Sequence, residues 1–142
     1  VEKHGKGLYE LIKNKSEKNR EVFFVYGGVD AEQRERVREI TERSNNAIIV
    51  ASYGTFSTGI NIRNLHNIIF ASPSKSRIRN LQSIGRGLRL GDNKVNATLY
   101  DIADDLQYKS KENFTLKHFQ ERINIYTEEE FDYEIHNINL KD

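Results

Sequence analysis

The sequence predicts an α/β fold built on a parallel sheet with helices on both faces. Three observations carry this. Short, continuously apolar, β-prone runs recur at residues 22–26, 47–52 and 67–71, with a fourth strand candidate at 95–102. Continuous apolar runs of this kind mark strands buried on both sides. Stretches with helical apolar spacing separate most of the runs, as the crossovers of a parallel sheet require. The runs are bounded by turn formers, namely Gly27-Gly28, Asn45-Asn46, Gly54 and Pro73.

Taken in order, Leu8, Leu11 and Ile12 lie among Lys and Glu at helical spacing and predict an amphipathic helix over residues 4–19. Val22-Phe-Phe-Val-Tyr26 is the first strand, closed by the glycine pair. Asp30 with Gln33 three residues on is a capping-box-like start, and Val37 and Ile40 continue that helix. Ala47–Ser52 and Asn67–Ala71 are the next strands. A helix is expected from Ser74 to about Leu88, then the strand Val95–Ile102. The order α-β-α-β-β-α-β starts on a helix, which is unusual for a doubly wound sheet and predicts a first strand upstream, so that the chain is a fragment. Leu116, Phe119, Ile123 and Tyr126 mark a further C-terminal helix, its aromatic residues read as core, and residues 113–142 form a helical extension. Glu128-Glu129-Glu130 interrupts the pattern, and Tyr133–Leu140 has no assigned element.

A chain of 142 residues is one domain by size and buries roughly 70% of its unfolded surface. Net charge is only +1, so any nucleic-acid contact must come from a local patch and not from bulk attraction. The absence of cysteine excludes a disulfide framework and a thiolate metal site. Four scattered histidines, His4, His66, His118 and His136, give little support for a metal cluster, and no metal site is expected. No apolar run approaches the length of a membrane span and no signal-peptide pattern is present. The expectation is a cytoplasmic protein with no membrane partner.

The most informative stretch is Gln82-Ser83-Ile84-Gly85-Arg86-Gly87-Leu88-Arg89. On a helix, Gln82, Arg86 and Arg89 share one stripe at i, i+4 and i+7. Each guanidinium offers a rigid fork of donors matched to phosphate oxygens, and the flanking glycines let other atoms approach. The stripe therefore points to a polyphosphate site, against the plainer reading of a solvated basic face. No G-x-x-x-x-G-K-[ST] loop and no strand-end acidic magnesium motif occurs in the sequence, so the usual grip on a nucleoside triphosphate and its metal is missing.

Three segments together resemble the second RecA-like domain of superfamily 2 helicases. Val25-Tyr26-Gly27-Gly28-Val29-Asp30-Ala31-Glu32-Gln33-Arg34 looks like that family's strand–glycine–helix element, with an arginine seven residues after the first glycine. Ile49 to Asn61, reading Ile-Val-Ala-Ser-Tyr-Gly-Thr-Phe-Ser-Thr-Gly-Ile-Asn, looks like motif V, and Gln82–Arg89 looks like motif VI in its Q-x-x-G-R-x-L-R form. Any one alone is weak, but three in the right order and separation are strong. Leu88, where DEAD-box proteins usually carry glycine, is similar to the group holding phage recombination and repair helicases and type III restriction motors. The resemblance covers residues 1–140, with the motifs between 25 and 91. His4-Gly5-Lys6-Gly7-Leu8 also fits the helix that follows the family's motif IV strand.

The resemblance implies a helicase C-terminal domain over residues 1–142. Arg89 would be the arginine finger reaching the γ-phosphate of ATP held on a first domain, Arg86 its partner, and Gln82 the coupling residue. Gly59 and Asn61 would lie near the nucleotide ribose, although many relatives carry aspartate at the position of Asn61. Gly27, Gly28, Ser52, Tyr53, Gly54 and Thr55 would meet the phosphates of a nucleic-acid strand, since ligands of open α/β sheets bind at strand carboxyl ends. Arg34 would brace the motif V loop. Lys75, Arg77 and Arg79, like Arg36 and Arg38, are better read as solvated helix faces than as a phosphate patch.

The implied protein is an ATP-dependent helicase or translocase acting on nucleic acid, with branched DNA in repair or recombination as the expected substrate. ATP and Mg2+ would be bound mainly by an N-terminal RecA-like domain of the same protein, and this chain alone would hydrolyse nothing. Two other readings stay open: a non-enzymatic nucleic-acid- or partner-binding module on the same fold, and the motor part of a restriction-type nuclease.

Overall fold

The computed structural model describes residues 2–52, 54–55, 62, 65–72, 97–106, 109, 111 and 113–140. They fall into two compact units, the first ending at His66 and the second starting at Asn67.

The first unit opens with α1 (Glu2–Lys15). Glu2 stands in its first turn and Lys13 and Lys15 in its last, charges that complement the helix dipole. The helix stops short of residue 19; at its end the Ser16 backbone N–H and hydroxyl both bond to the Ile12 carbonyl, at 2.8 and 2.7 Å. A turn through Arg20, whose N–H reaches the Glu17 carbonyl at 3.0 Å, leads into β1 (Val22–Val25). Next comes α2 (Ala31–Arg43), started as expected by Asp30, whose carboxylate accepts from the Gln33 N–H at 2.7 Å. The chain returns in β2 (Ile48–Ala51), parallel to β1 in the register Val22↔Ile48 to Val25↔Ala51.

Alternation along β1 sends its side chains to two faces, and each face meets a helix. Val25 is fully buried and forms a core with Ile62, joined by Val29, Ile49, Leu65 and Val37 of α2. On the other face Phe24 stacks on Tyr9 of α1, ring centroids 5.8 Å apart. Gly5 permits this approach, because a Cβ there would lie 3.0 Å from the Phe24 ring. The strand–helix–strand unit with a helix on each side is what the sequence led one to expect.

The second unit pairs β3 (Asn67–Phe70) and β4 (Thr98–Asp101), again parallel, in the register Asn67↔Thr98 to Phe70↔Asp101. Strand β4 is shorter than residues 95–102: Ala97 and Ile102 lie outside the ladder, whose four-residue length matches that of β3. Phe70 is buried, whereas the neighbours Ile69 and Tyr100 are 62% and 51% exposed on the opposite face. The helix expected over residues 74–88 lies outside the described residues.

The C-terminal helix α3 (Phe114–Glu128) follows. Asn113 stands at its N-cap position, but its side-chain amide donates to the Asp104 carbonyl at 2.9 Å and to Thr115, tying the preceding loop to the helix start. The helix ends where the glutamate run begins. Glu130 takes φ 56°, and the N–H groups of Glu130 and Phe131 reach the carbonyls of Thr127 and Tyr126 at 3.1 and 2.9 Å. This is a Schellman closure with glutamate at the position glycine usually fills. Residues 131–140 form neither helix nor strand.

Helices mixed with parallel strand pairs bear out the α/β class and agree with a RecA-like helicase C-terminal domain. Among the described residues no helix is long and apolar enough to cross a membrane.

Candidate functional site

Parallel, in-register pairing puts the carboxyl ends of β1 and β2 side by side, so two turns leave the sheet at one edge. The ladder runs one step beyond the strands, with the Ser52 N–H donating to the Val25 carbonyl at 3.0 Å. The first turn, Tyr26–Val29, is closed by the Val29 N–H on the Tyr26 carbonyl at 3.0 Å and has Gly27 and Gly28 at its exposed apex. The second is closed by the Thr55 N–H on the Ser52 carbonyl at 3.1 Å. Four of the residues assigned to nucleic acid, Gly27, Gly28, Ser52 and Thr55, thus come together at one sheet edge, with Gly54 in the second turn.

The two glycines differ in why they are glycine. No described glycine has a positive φ, so conformational freedom explains neither. Gly28 is required by its neighbour, because a Cβ there would fall 2.6 Å from the Tyr26 ring. That ring is itself fixed by stacking on Phe24 at 5.1 Å. At Gly27 a Cβ would meet nothing within 4 Å. Packing does not demand glycine at position 27, and its backbone stands open at the strand end.

The hydroxyls of Ser52 and Thr55 are 2.7 Å apart. Thr55 is only 5% exposed, whereas Ser52 is half-buried, so of the pair Ser52 is the one that faces outward. A half-buried hydroxyl beside exposed backbone suits an anionic oxygen, the ligand type that strand ends of open α/β sheets commonly take.

On α2, Arg36 pairs with Glu32 at 2.6 Å, and Arg38 bridges Glu35 and Glu42, the latter at 2.8 Å. The Arg38 guanidinium holds the Glu35 carboxyl below the usual carboxylate range. Arg36 thus lies on the solvated face expected of it, whereas Arg38 is mostly covered, and the ion pairs of both were not part of the sequence reading. Arg34 is half-buried, and its Nε lies 3.4 Å from the Asp30 carbonyl, a weak bond to the start of its own helix. Tyr53, Gly59, Asn61, Gln82, Arg86 and Arg89 lie outside the described residues, as do Lys75, Arg77 and Arg79.

The sequence reading missed a polar cluster in the second unit. At the end of β4, Asp101 accepts from Arg122 Nε and Nη2 at 2.6 and 2.8 Å and from the Tyr126 hydroxyl at 2.7 Å. Arg122 is 1% exposed, and the Phe119 ring lies 5.7 Å from its Cζ. Burial, reinforced by the hydrogen bond to Asp101, pushes the Tyr126 hydroxyl far above its ordinary pKa. The available signal was an arginine on the apolar stripe, with Phe119 three residues before it and Tyr126 four after, downstream of a strand ending in aspartate.

Residues 2–91 match the model of the helicase conserved C-terminal domain, a span that contains all three motif-like segments. The chain is also 42% identical, over a 147-residue alignment, to the ATP-dependent DNA helicase uvsW of Enterobacteria phage T4. That alignment takes in 96% of this chain but 29% of the phage protein. No solved structure gives a significant match.

Proposed function

The chain belongs to the helicase conserved C-terminal domain family, and from that premise we propose that it is the second motor domain of an ATP-dependent helicase or translocase acting on DNA. In this reading Arg89 is the arginine finger, Arg86 its partner, and Gln82 couples the nucleotide to domain closure. Gly59 and Asn61 lie at the ribose. An N-terminal RecA-like domain of the same protein grips ATP and Mg2+, because this chain carries no phosphate-cradling loop of its own. Gly27, Gly28, Ser52 and Gly54 at the strand ends, with Tyr53 beside them in sequence, meet the phosphates of one DNA strand, and Thr55 is buried next to Ser52. The substrate is branched DNA handled in repair or recombination, inside the cell.

The physical logic is that charge developing on the transferred phosphoryl group needs a positioned guanidinium, worth on the order of 10³–10⁵ in rate in comparable NTPases. Supplying it from a second domain makes hydrolysis conditional on cleft closure, which converts turnover into movement. The observation that carries the reading is the family match, with Gln82, Arg86 and Arg89 spaced i, i+4 and i+7 in the sequence inside its span.

The test is ATP hydrolysis by the protein with both motor domains, stimulated in turn by forked DNA, single-stranded DNA and RNA. Stimulation strongest with forked DNA is the expected result. Stimulation by RNA alone removes the DNA assignment, and no stimulation by any of them favours the binding-module reading.

A further inference from the structure

We infer that Thr55 is a positioning residue, which acts on the nucleic-acid strand through Ser52 and not by direct contact. The inference rests on the proposed reading that this sheet edge meets phosphate. It starts from the proton count of the Ser52–Thr55 pair. Each hydroxyl has one proton to give and lone pairs to receive. Their oxygens are 2.7 Å apart, so one donates to the other. Thr55 is 5% exposed, and among the described residues its hydroxyl has no partner but Ser52. If Ser52 were the donor, the Thr55 proton would be buried with no acceptor among the described residues, which is disfavoured. The pair therefore runs from Thr55 to Ser52.

This direction leaves the Ser52 proton free to point away from the pair. Ser52 is half-buried, its N–H is pinned to the Val25 carbonyl, and its carbonyl receives the Thr55 N–H at 3.1 Å. Three hydrogen bonds thus fix the group before any ligand arrives, and accepting from Thr55 polarises the Ser52 O–H toward a stronger donor. The ligand class is an anionic phosphodiester oxygen. The same chemistry is offered by a free nucleotide, so the test must separate the two.

Affinity for fluorescent single-stranded DNA and, separately, for a fluorescent ATP analogue is measured in the protein with both motor domains. The variants are Ser52→Ala, Thr55→Val, the two combined, and Thr55→Ser. Ser52→Ala is expected to weaken DNA binding roughly tenfold, as for a lost hydrogen bond to a charged group. Thr55→Val weakens it severalfold, the double variant is no weaker than Ser52→Ala, and Thr55→Ser recovers the native affinity. Nucleotide affinity stays unchanged throughout, while Ser52→Ala lowers the melting temperature by a few degrees because it leaves the buried Thr55 hydroxyl without its acceptor. If Ser52→Ala leaves DNA binding untouched, the reading of the edge itself fails. If Ser52→Ala weakens binding but Thr55→Val does not, or if the two effects simply add, the edge reading stands and the role of Thr55 is overturned. Weakened nucleotide binding with native DNA binding assigns the phosphate to the nucleotide and overturns the inference.

Discussion

Arg122 and Asp101 form a bidentate ion pair withdrawn from water, the two side chains retaining 2% and 8% of their exposure. The pair joins the end of β4 to the middle of α3 across twenty-one positions of sequence. A buried pair is weak evidence of net stability, since desolvation offsets most of the Coulombic gain. Breaking it is another matter, because the survivor remains charged and unpaired. Arg122→Ala is expected to destabilise the second unit by about 3–5 kcal/mol. Equilibrium denaturation followed by circular dichroism reads this directly, and a loss under 1 kcal/mol would show that the pair is replaced by solvent.

Tyr126 gives the same cluster a pH signature. Its hydroxyl donates to Asp101, and burial holds its folded pKa well above the ordinary value of 10.0. A group with a raised folded pKa contributes stability that is complete below the unfolded pKa and is lost as pH rises toward the folded one. The protein should therefore lose stability above pH 10 with an added slope approaching about 1.4 kcal/mol per pH unit. Tyr126→Phe should be less stable at pH 8 and show a shallower alkaline decline. Urea unfolding at pH 8, 10 and 11 compares the two, and parallel curves would contradict the assignment.

Glu130 occupies the left-handed region at φ 56° to close α3. A side chain there costs roughly 1–2 kcal/mol that glycine does not incur, partly offset by the greater freedom of glycine in the unfolded chain. Glu130→Gly is expected to raise stability by about 0.5 kcal/mol. Thermal melting checks this, and a lowered melting temperature would mean that the glutamate side chain contributes more than its backbone costs.

Much of this fold was legible in local pattern. Leu8, Leu11 and Ile12, the Asp30–Gln33 cap and the apolar runs at 22–26, 47–52 and 67–71 each encode their element within a few residues, and each element formed. Element ends were less legible. Helix α1 ended at Lys15 and β4 spanned only Thr98–Asp101, limits that apolar spacing does not report. The Asp101–Arg122–Tyr126 cluster was opaque for another reason: a buried arginine is identified by a partner twenty-one residues away, and charge alone suggests a surface. At the candidate site the sequence brought Gly27, Gly28, Ser52 and Thr55 to one edge, but only coordinates separate Gly28, held by the Tyr26 ring, from Gly27, which packing leaves open.

That distinction is testable. Gly27→Ala adds a methyl group where nothing lies within 4 Å and the backbone φ is ordinary. It should leave stability unchanged or raise it by about 0.4–1 kcal/mol. If the open backbone at this strand end serves a nucleic-acid strand, the same variant should lose DNA affinity. Paired melting and fluorescence-anisotropy measurements give the answer. Native affinity in a fully folded Gly27→Ala protein would remove Gly27 from the interface.

The central claim is that this domain completes an ATP-hydrolysing motor, and it rests on Arg89. The direct measurement is DNA-stimulated ATP turnover by the protein with both motor domains, in native form and as Arg89→Ala, with DNA affinity measured on the same samples. The account predicts that turnover falls by a factor on the order of 10³–10⁵ while DNA binding is retained. Undiminished turnover in Arg89→Ala, with binding intact, would contradict it.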